Sequence, residues 1–118
     1  MTSLIACLSS GKGTWAHVNE IINKEEWDKI FLITNDFGVQ NFKPEKEVNY
    51  ILIDSNKFLS EMIEDIKKQL QGKMNDFEVA VNIISGNGKE HMALISALMK
   101  LGLGIRLIAL TPNGIKEV

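Results

Sequence analysis

Ser85-Gly86-Asn87-Gly88-Lys89 is the stretch on which the reading of this chain turns. It is a small, glycine-rich, lysine-bearing turn between an apolar run (Phe77 to Ile84) and a helical run (Glu90 to Leu101). A second turn of the same kind, Ser9-Ser10-Gly11-Lys12-Gly13-Thr14, follows the first apolar run of the chain. A strand that passes through such a turn into a helix presents main-chain N–H groups at a helix N-terminus, where anions bind. Two of them predict a phosphate- or nucleotide-binding crevice.

Working outward, Ser3 to Ser9 is a nearly unbroken apolar run, the pattern of a parallel strand buried on both faces. Ser10 or Thr14 is placed to cap a helix to about Lys24, with Trp15, Val18, Ile21 and Ile22 at helical spacing. Lys29 to Thr34 and Val48 to Ile53 read as the second and third strands. Between them Asn35 to Glu47 carries Gly38, Pro44 and a run of charges, and reads as a loop with room for a short helical turn. Asp54 or Ser55 is expected to cap an amphipathic helix to about Gln71, stopped by Gly72. Phe58, Leu59, Met62, Ile63, Ile66 and Leu70 form its inward face. Phe77 to Ile84 is the fourth strand, Lys89 to Leu101 a long helix stopped by Gly102, and Ile105 to Leu110 the fifth strand. Thr111-Pro112-Asn113-Gly114 has turn chemistry, so Ile115 to Val118 can fold back as a short antiparallel edge strand.

Strands alternating with helices predict an α/β fold. With right-handed crossovers the order becomes 3-2-1-4-5, a Rossmann-like, three-layer open sheet, mainly parallel. Strands 1 and 4 are then neighbours at the point where the order reverses, and ligands of such sheets sit beyond the carboxyl ends there. The two glycine turns follow those two strands. Loop chemistry and topology select the same place.

Composition narrows the function. The chain has 118 residues, 45% hydrophobic and 24% charged, the size of one domain with a single core of ordinary size. No apolar run approaches the ~18 residues of a membrane helix, and Met1-Thr2-Ser3 lacks a secretory leader's basic segment, so a cytoplasmic protein with no membrane partner is expected. Thirteen Lys+Arg against fifteen Asp+Glu give a formal charge of −2. That argues against direct duplex nucleic-acid binding, so an anion site must be local. The lone cysteine, Cys7, excludes an intrachain disulfide and the usual zinc cluster, and reads as a small buried hydrophobe. No metal and no further cofactor are expected.

Gly11-Lys12-Gly13-Thr14-Trp15-Ala16 fits the G-x-G-x-x-A form of the dinucleotide fingerprint, with Asp36 as a candidate ribose acid. It is not a Walker A loop, because the upstream glycine would fall at Ala6. A small domain binding a dinucleotide of the NAD type is therefore one reading. Two loops facing each other suit a ligand with several phosphates better. Lys12 and Lys89 would supply charge, Ser9, Ser10, Ser85 and Asn87 neutral hydrogen bonds, and Gly11, Gly13, Thr14, Gly86 and Gly88 main-chain approach.

Ser85-Gly86-Asn87-Gly88-Lys89, followed by Met92-Ala93, resembles the second motif of CARF domains, the CRISPR-associated Rossmann-like sensors of cyclic oligoadenylates. The first strand with its small polar loop, and Ile33-Thr34-Asn35 at the end of strand two, are similar as well. Asn87 stands where that motif has its second glycine, and Asn82 is displaced by one position from the asparagine often found before it. The resemblance implies a ring of adenylates bound across a two-fold axis in a homodimer, by a sensor standing alone or cut from a longer chain. It also admits ring cleavage without metal, through attack of a ribose 2′-OH on the adjacent phosphodiester. Lys89 would then steady the phosphate charge, and Ser10 or Ser9 would orient the hydroxyl. His91 is the nearest general acid/base candidate, although it shares the apolar side of its helix with Ile95. His17, beside Glu20 and Lys24, reads as solvated. The long helix, with Met92, Leu94, Ile95, Leu98, Met99 and Leu101, is apolar round most of its circumference, more than one sheet-facing stripe requires. A dimerisation or regulatory module that binds no nucleotide is the remaining reading.

Overall fold

The computed structural model describes residues 2–9 and 11–118. Its elements run β1 (Leu4–Cys7), a 3-10 turn (Lys12–Thr14), α1 (Trp15–Lys24), β2 (Ile30–Thr34), α2 (Asp36–Asn41) and β3 (Asn49–Leu52). They continue with α3 (Leu59–Leu70), β4 (Glu78–Asn82), α4 (Gly88–Lys100), β5 (Gly104–Thr111) and β6 (Gly114–Glu117). The sheet has the order β3-β2-β1-β4-β5-β6. β1 pairs in parallel with β2 and β4, and β2–β3 and β4–β5 are parallel too; β6 alone is antiparallel, on β5. This is the Rossmann-like layout that the alternation of strands and helices predicts, with the tail hairpin added.

The unbroken apolar runs are explained by the two layers of helix. Ile5, Cys7, Phe31, Ile33, Val79 and Val81 point to one side, where Met62, Ile66 and Leu70 of α3 and Ala93, Leu94, Ala97 and Leu98 of α4 cover them. Leu4, Ala6, Leu8, Leu32 and Ala80 point to the other, against Val18, Ile21 and Ile22 of α1 and against Phe42. Alternate residues of a strand face opposite ways, so a strand covered twice has no polar position to spare.

Helix ends differ from the sequence expectation in two places. α3 starts at Leu59, not at Asp54 or Ser55, because Asp54 is consumed by a tight turn. Its Oδ1 accepts from the Asn56 N–H at 2.9 Å and its carbonyl from the Lys57 N–H at 3.1 Å. Phe58 becomes the residue before the helix and, at 78% exposure, leaves the inward face. The second difference is α2, where the short helical turn allowed for in the 35–47 loop is a defined six-residue helix. Asn35 caps it, its Oδ1 accepting from the Gly38 N–H at 3.0 Å. Gly38 lets that helix lie on β2: a Cβ there would stand 1.9 Å from Thr34 Oγ1.

The tail turns as its sequence predicts. Thr111 Oγ1 accepts from the Asn113 N–H at 3.2 Å and donates to the Gly114 carbonyl at 2.7 Å, and β6 then pairs from Gly114 against Thr111. Among the described residues no helix is long and apolar enough to cross a membrane.

Candidate functional site

β1 and β4 are adjacent and parallel, so the turns that leave their carboxyl ends start side by side. They are stitched together. The Ser9 N–H donates to Ser85 Oγ at 2.8 Å, and Ser85 Oγ lies 3.4 Å from Ser9 Oγ. Ser85 is buried, which makes this hydrogen bond part of the frame and not a surface contact. Ser10, one of the two residues expected to assist catalysis, lies outside the described residues.

Turn two is self-capped. Asn87 Oδ1 accepts from the Glu90 N–H at 2.9 Å, while a Glu90 carboxylate oxygen accepts from the Asn87 N–H at 2.9 Å, a complete capping box. This accounts for Asn87 in place of a second glycine: the position is the helix cap. The mostly buried Glu90 carboxylate already supplies negative charge at the α4 N-terminus, so an incoming anion is left with the N–H groups of Gly88 and Lys89. Gly86 has φ 104, and a Cβ on it would stand 2.9 Å from a Glu90 carboxylate oxygen and 3.0 Å from His91 Nε2. Only glycine fits that turn.

His91 holds turn two from below. Its Nε2 donates to the Ser85 carbonyl at 2.8 Å, which fixes the proton of the neutral ring on Nε2. The ring is a brace for the loop, as its place beside Ile95 suggested. Lys89 is not directed at the glycine turn. Its ammonium donates to the carbonyls of Ser55, at 2.9 Å, and Lys57, tying the start of α4 to the segment between β3 and α3.

Turn one is open by contrast. Gly11, Lys12 and Gly13 are exposed, and the helical stretch that starts at Lys12 has neither a side-chain cap nor an acid in its first turn. Within the turn, the Gly11 N–H donates to Ser9 Oγ at 3.2 Å and the Trp15 indole to the Ser9 carbonyl at 2.8 Å. Lys12 Nζ rests over two rings, 5.8 Å from the Trp15 centroid and 5.5 Å from that of Phe37. Of the two turns, the first carries the freer N–H groups and a neighbouring cation, Lys12, that pairs with no carboxylate among the described residues.

Three features escaped the sequence. Trp15 follows the first turn directly, yet reads there only as a core residue. His17 is half-buried and not solvated. Its Nε2 accepts from the Leu110 N–H at 3.2 Å and contacts the Asn82 amide at 3.3 Å, and that amide also donates to the Ile108 carbonyl at 2.9 Å. This network locks α1, β4 and β5 together at the carboxyl-end rim of the sheet. The third feature is a hollow of about 590 Å³ beyond β2 and β3, with Asp36, Phe37, Leu52, Asp54 and Ser55 in its walls. Asp36 opens α2 there, exposed, so the candidate ribose acid does face a cavity.

Cys7 is buried under α4, and burial, with the Glu90 charge nearby, pushes its thiol up to about 12. It is protonated and inert at neutral pH. Among the described residues no three His, Cys, Asp or Glu side chains converge as metal ligands would. Compared with protein-family models and with curated protein sequences, the chain matches none.

Proposed function

We propose that this protein is a CARF-like sensor that binds a cyclic oligoadenylate at the two glycine turns, acting as a cytoplasmic homodimer. One observation carries the reading: turns one and two leave adjacent parallel strands at the reversal of strand order and are joined there through Ser9 and Ser85. A ligand bearing several phosphates uses both, the open N–H groups of turn one and those of Gly88 and Lys89 in turn two. The dimer contact falls on the outer side of α4, where Met92 is 60% and Met99 67% exposed, with Ile95 between them.

Slow, metal-independent ring opening is the extension of this reading. A ribose 2′-OH attacks the adjacent phosphorus, the P–O5′ bond breaks, and the proton passes to the departing 5′-oxygen, leaving a 2′,3′-cyclic phosphate. Lys89 would stabilise the charge on the non-bridging oxygens once its ammonium leaves the Ser55 and Lys57 carbonyls, with Ser10 or Ser9 orienting the hydroxyl.

The second reading, a dinucleotide of the NAD type, draws on the Asp36 side of the hollow. Thermal shift with cyclic tetra- and hexa-adenylate and with NAD, with chromatography of the products, separates the two. Stabilisation by the cyclic ligand, lost in Ser85→Ala, supports the sensor. Stabilisation by NAD alone sinks it, and stabilisation by neither leaves a dimerisation module.

A further inference from the structure

We propose that the free edge of β3 is a docking surface for an extended acidic segment of another protein, which adds to the sheet as a further strand. β3 closes one side of the sheet, with β2 as its only partner there. The surface is separate from the two glycine turns, which leave β1 and β4, and does not depend on what they bind.

An edge strand turns half of its main-chain groups away from the sheet. At Leu52 a side chain already answers them. The Leu52 N–H donates to Gln69 Oε1 at 3.0 Å. Gln69 Nε2 donates to the Leu52 carbonyl at 2.8 Å and to the Asp65 carbonyl at 3.2 Å. A carboxamide carries the donor and the acceptor of a peptide group. Gln69 of α3 therefore stands where the main chain of a neighbouring strand would, and shows the chemistry that the edge accepts.

The edge has a second peptide to offer. The Ile53 N–H turns inward, to the Thr34 carbonyl on β2 at 2.9 Å. Main-chain groups alternate along a strand, so those of Tyr50 face outward as those of Leu52 do. Among the described residues no side chain bonds them as Gln69 bonds Leu52. A strand arriving here replaces the two Gln69 bonds with two of its own and adds a pair at Tyr50. The exchange loses nothing at Leu52 and gains at Tyr50.

The sign of the partner follows from the hollow beside this edge, about 390 Å³, whose walls include Val48, Tyr50, Lys68, Gln69 and Lys73. The two lysines are its only charged residues, and among the described residues neither pairs with a carboxylate. Lys29 Nζ, bound to the Lys73 carbonyl, adds a third positive charge. In a chain of formal charge −2 this edge is locally basic. A second copy would set these lysines against their own counterparts, and lysines at an edge block such self-pairing. An acidic segment meets them favourably. Because side chains alternate, acids at every second position all face α3 and its lysines.

The test is a blocked six-residue peptide of alternating glutamate and valine, titrated into the full chain and followed by amide chemical shifts. It is expected to move the amides of residues 48–52 and the side-chain amide of Gln69, while Gly11 to Gly13 stay still. The Lys68→Glu/Lys73→Glu variant should bind it at least five-fold more weakly. Gln69→Ala removes the competing carboxamide and puts a strong helix former in α3, so it should bind the peptide several-fold more tightly. A glutamine with a structural role alone would give no such gain, and unchanged affinity in Gln69→Ala overturns the exchange at Leu52. No movement of residues 48–52 overturns the docking surface. So does equal binding of an N-methylated acidic peptide, or of one with lysine in place of glutamate. A Gln69→Ala protein that associates with itself and ignores the peptide also overturns it, leaving Gln69 a guard against edge pairing. Tighter binding of an oligouridylate at the same amides overturns it in favour of a nucleic-acid strand.

Discussion

The ammonium of Lys89 is bound to the main-chain carbonyl of Ser55 at 2.9 Å, so the lysine that the sequence marks as a phosphate ligand is, in the free protein, a strut between α4 and the 54–58 turn. The two roles compete for one charge. Lys89→Met should leave global stability within about 1 kcal/mol, as surface changes do, while amide exchange over residues 54–58 rises several-fold. Hydrogen-exchange mass spectrometry reads this directly. Unchanged exchange there would mean that the strut carries no load.

Ser85→Ala removes the acceptor of the half-buried Ser9 N–H. The expected loss is about 1–2 kcal/mol in denaturant unfolding, from an unpaired main-chain donor. Pyrophosphate affinity should fall with it, because turn one loses its anchor to turn two. Ser85→Thr, which retains the hydroxyl, is the control.

The glycines of the two turns should respond oppositely to alanine. At Gly86, φ 104 and the nearby Glu90 carboxylate and His91 ring predict a loss of about 1–3 kcal/mol. At Gly13 a Cβ meets nothing within 4 Å and φ is not in the left-handed region, so Gly13→Ala should match or exceed the parent in thermal unfolding. The same added methyl would stand where an anion approaches turn one. Weaker pyrophosphate binding in a fully stable Gly13→Ala protein is therefore the sharper measurement.

Cys7 gives the fold a one-sided response to alkali. Its thiol, raised from 9.0 to about 12, keeps its proton in the folded chain over a range in which the unfolded chain releases it. The unfolded state then binds fewer protons, so stability falls as pH rises above about 9, by up to about 1.4 kcal/mol per pH unit. Below that pH both states are protonated and the group contributes no pH dependence. Cys7→Ala should flatten the difference between unfolding curves at pH 8 and pH 10.5, and iodoacetamide should label the folded parent far more slowly than the denatured one.

Sheet order and the position of both turns were legible because they follow from runs of one residue class and from the handedness of crossovers, which tertiary detail does not alter. Strand ends and caps were less so. Asp54 looks like a helix cap in one dimension, but its side chain closes a turn on Asn56 first and the helix waits four residues. Asn87 looked like a departure from a motif until its pairing with Glu90 gave it a reason. His17 was misjudged because its partners, Asn82 and Leu110, lie 65 and 93 residues away, beyond the reach of any local pattern. The hollow was invisible for the same reason, its walls coming from residues 35–37, residues 52–57 and Asp65 of α3, which meet only once β2 and β3 pair and α3 packs on them.

α4 carries turn two at its first residue and the exposed Met92 only four residues on, a distance of about 6 Å along the axis. Met99, seven residues further along the same helix, is exposed as well. If a partner covers this surface and turn two binds a ligand, the two lie about one helical turn apart, and any preference of one for the state the other stabilises would link them. If a second copy is the cover, ligand affinity becomes a function of protein concentration. A titration at a single concentration would then report a point on a surface, not a constant.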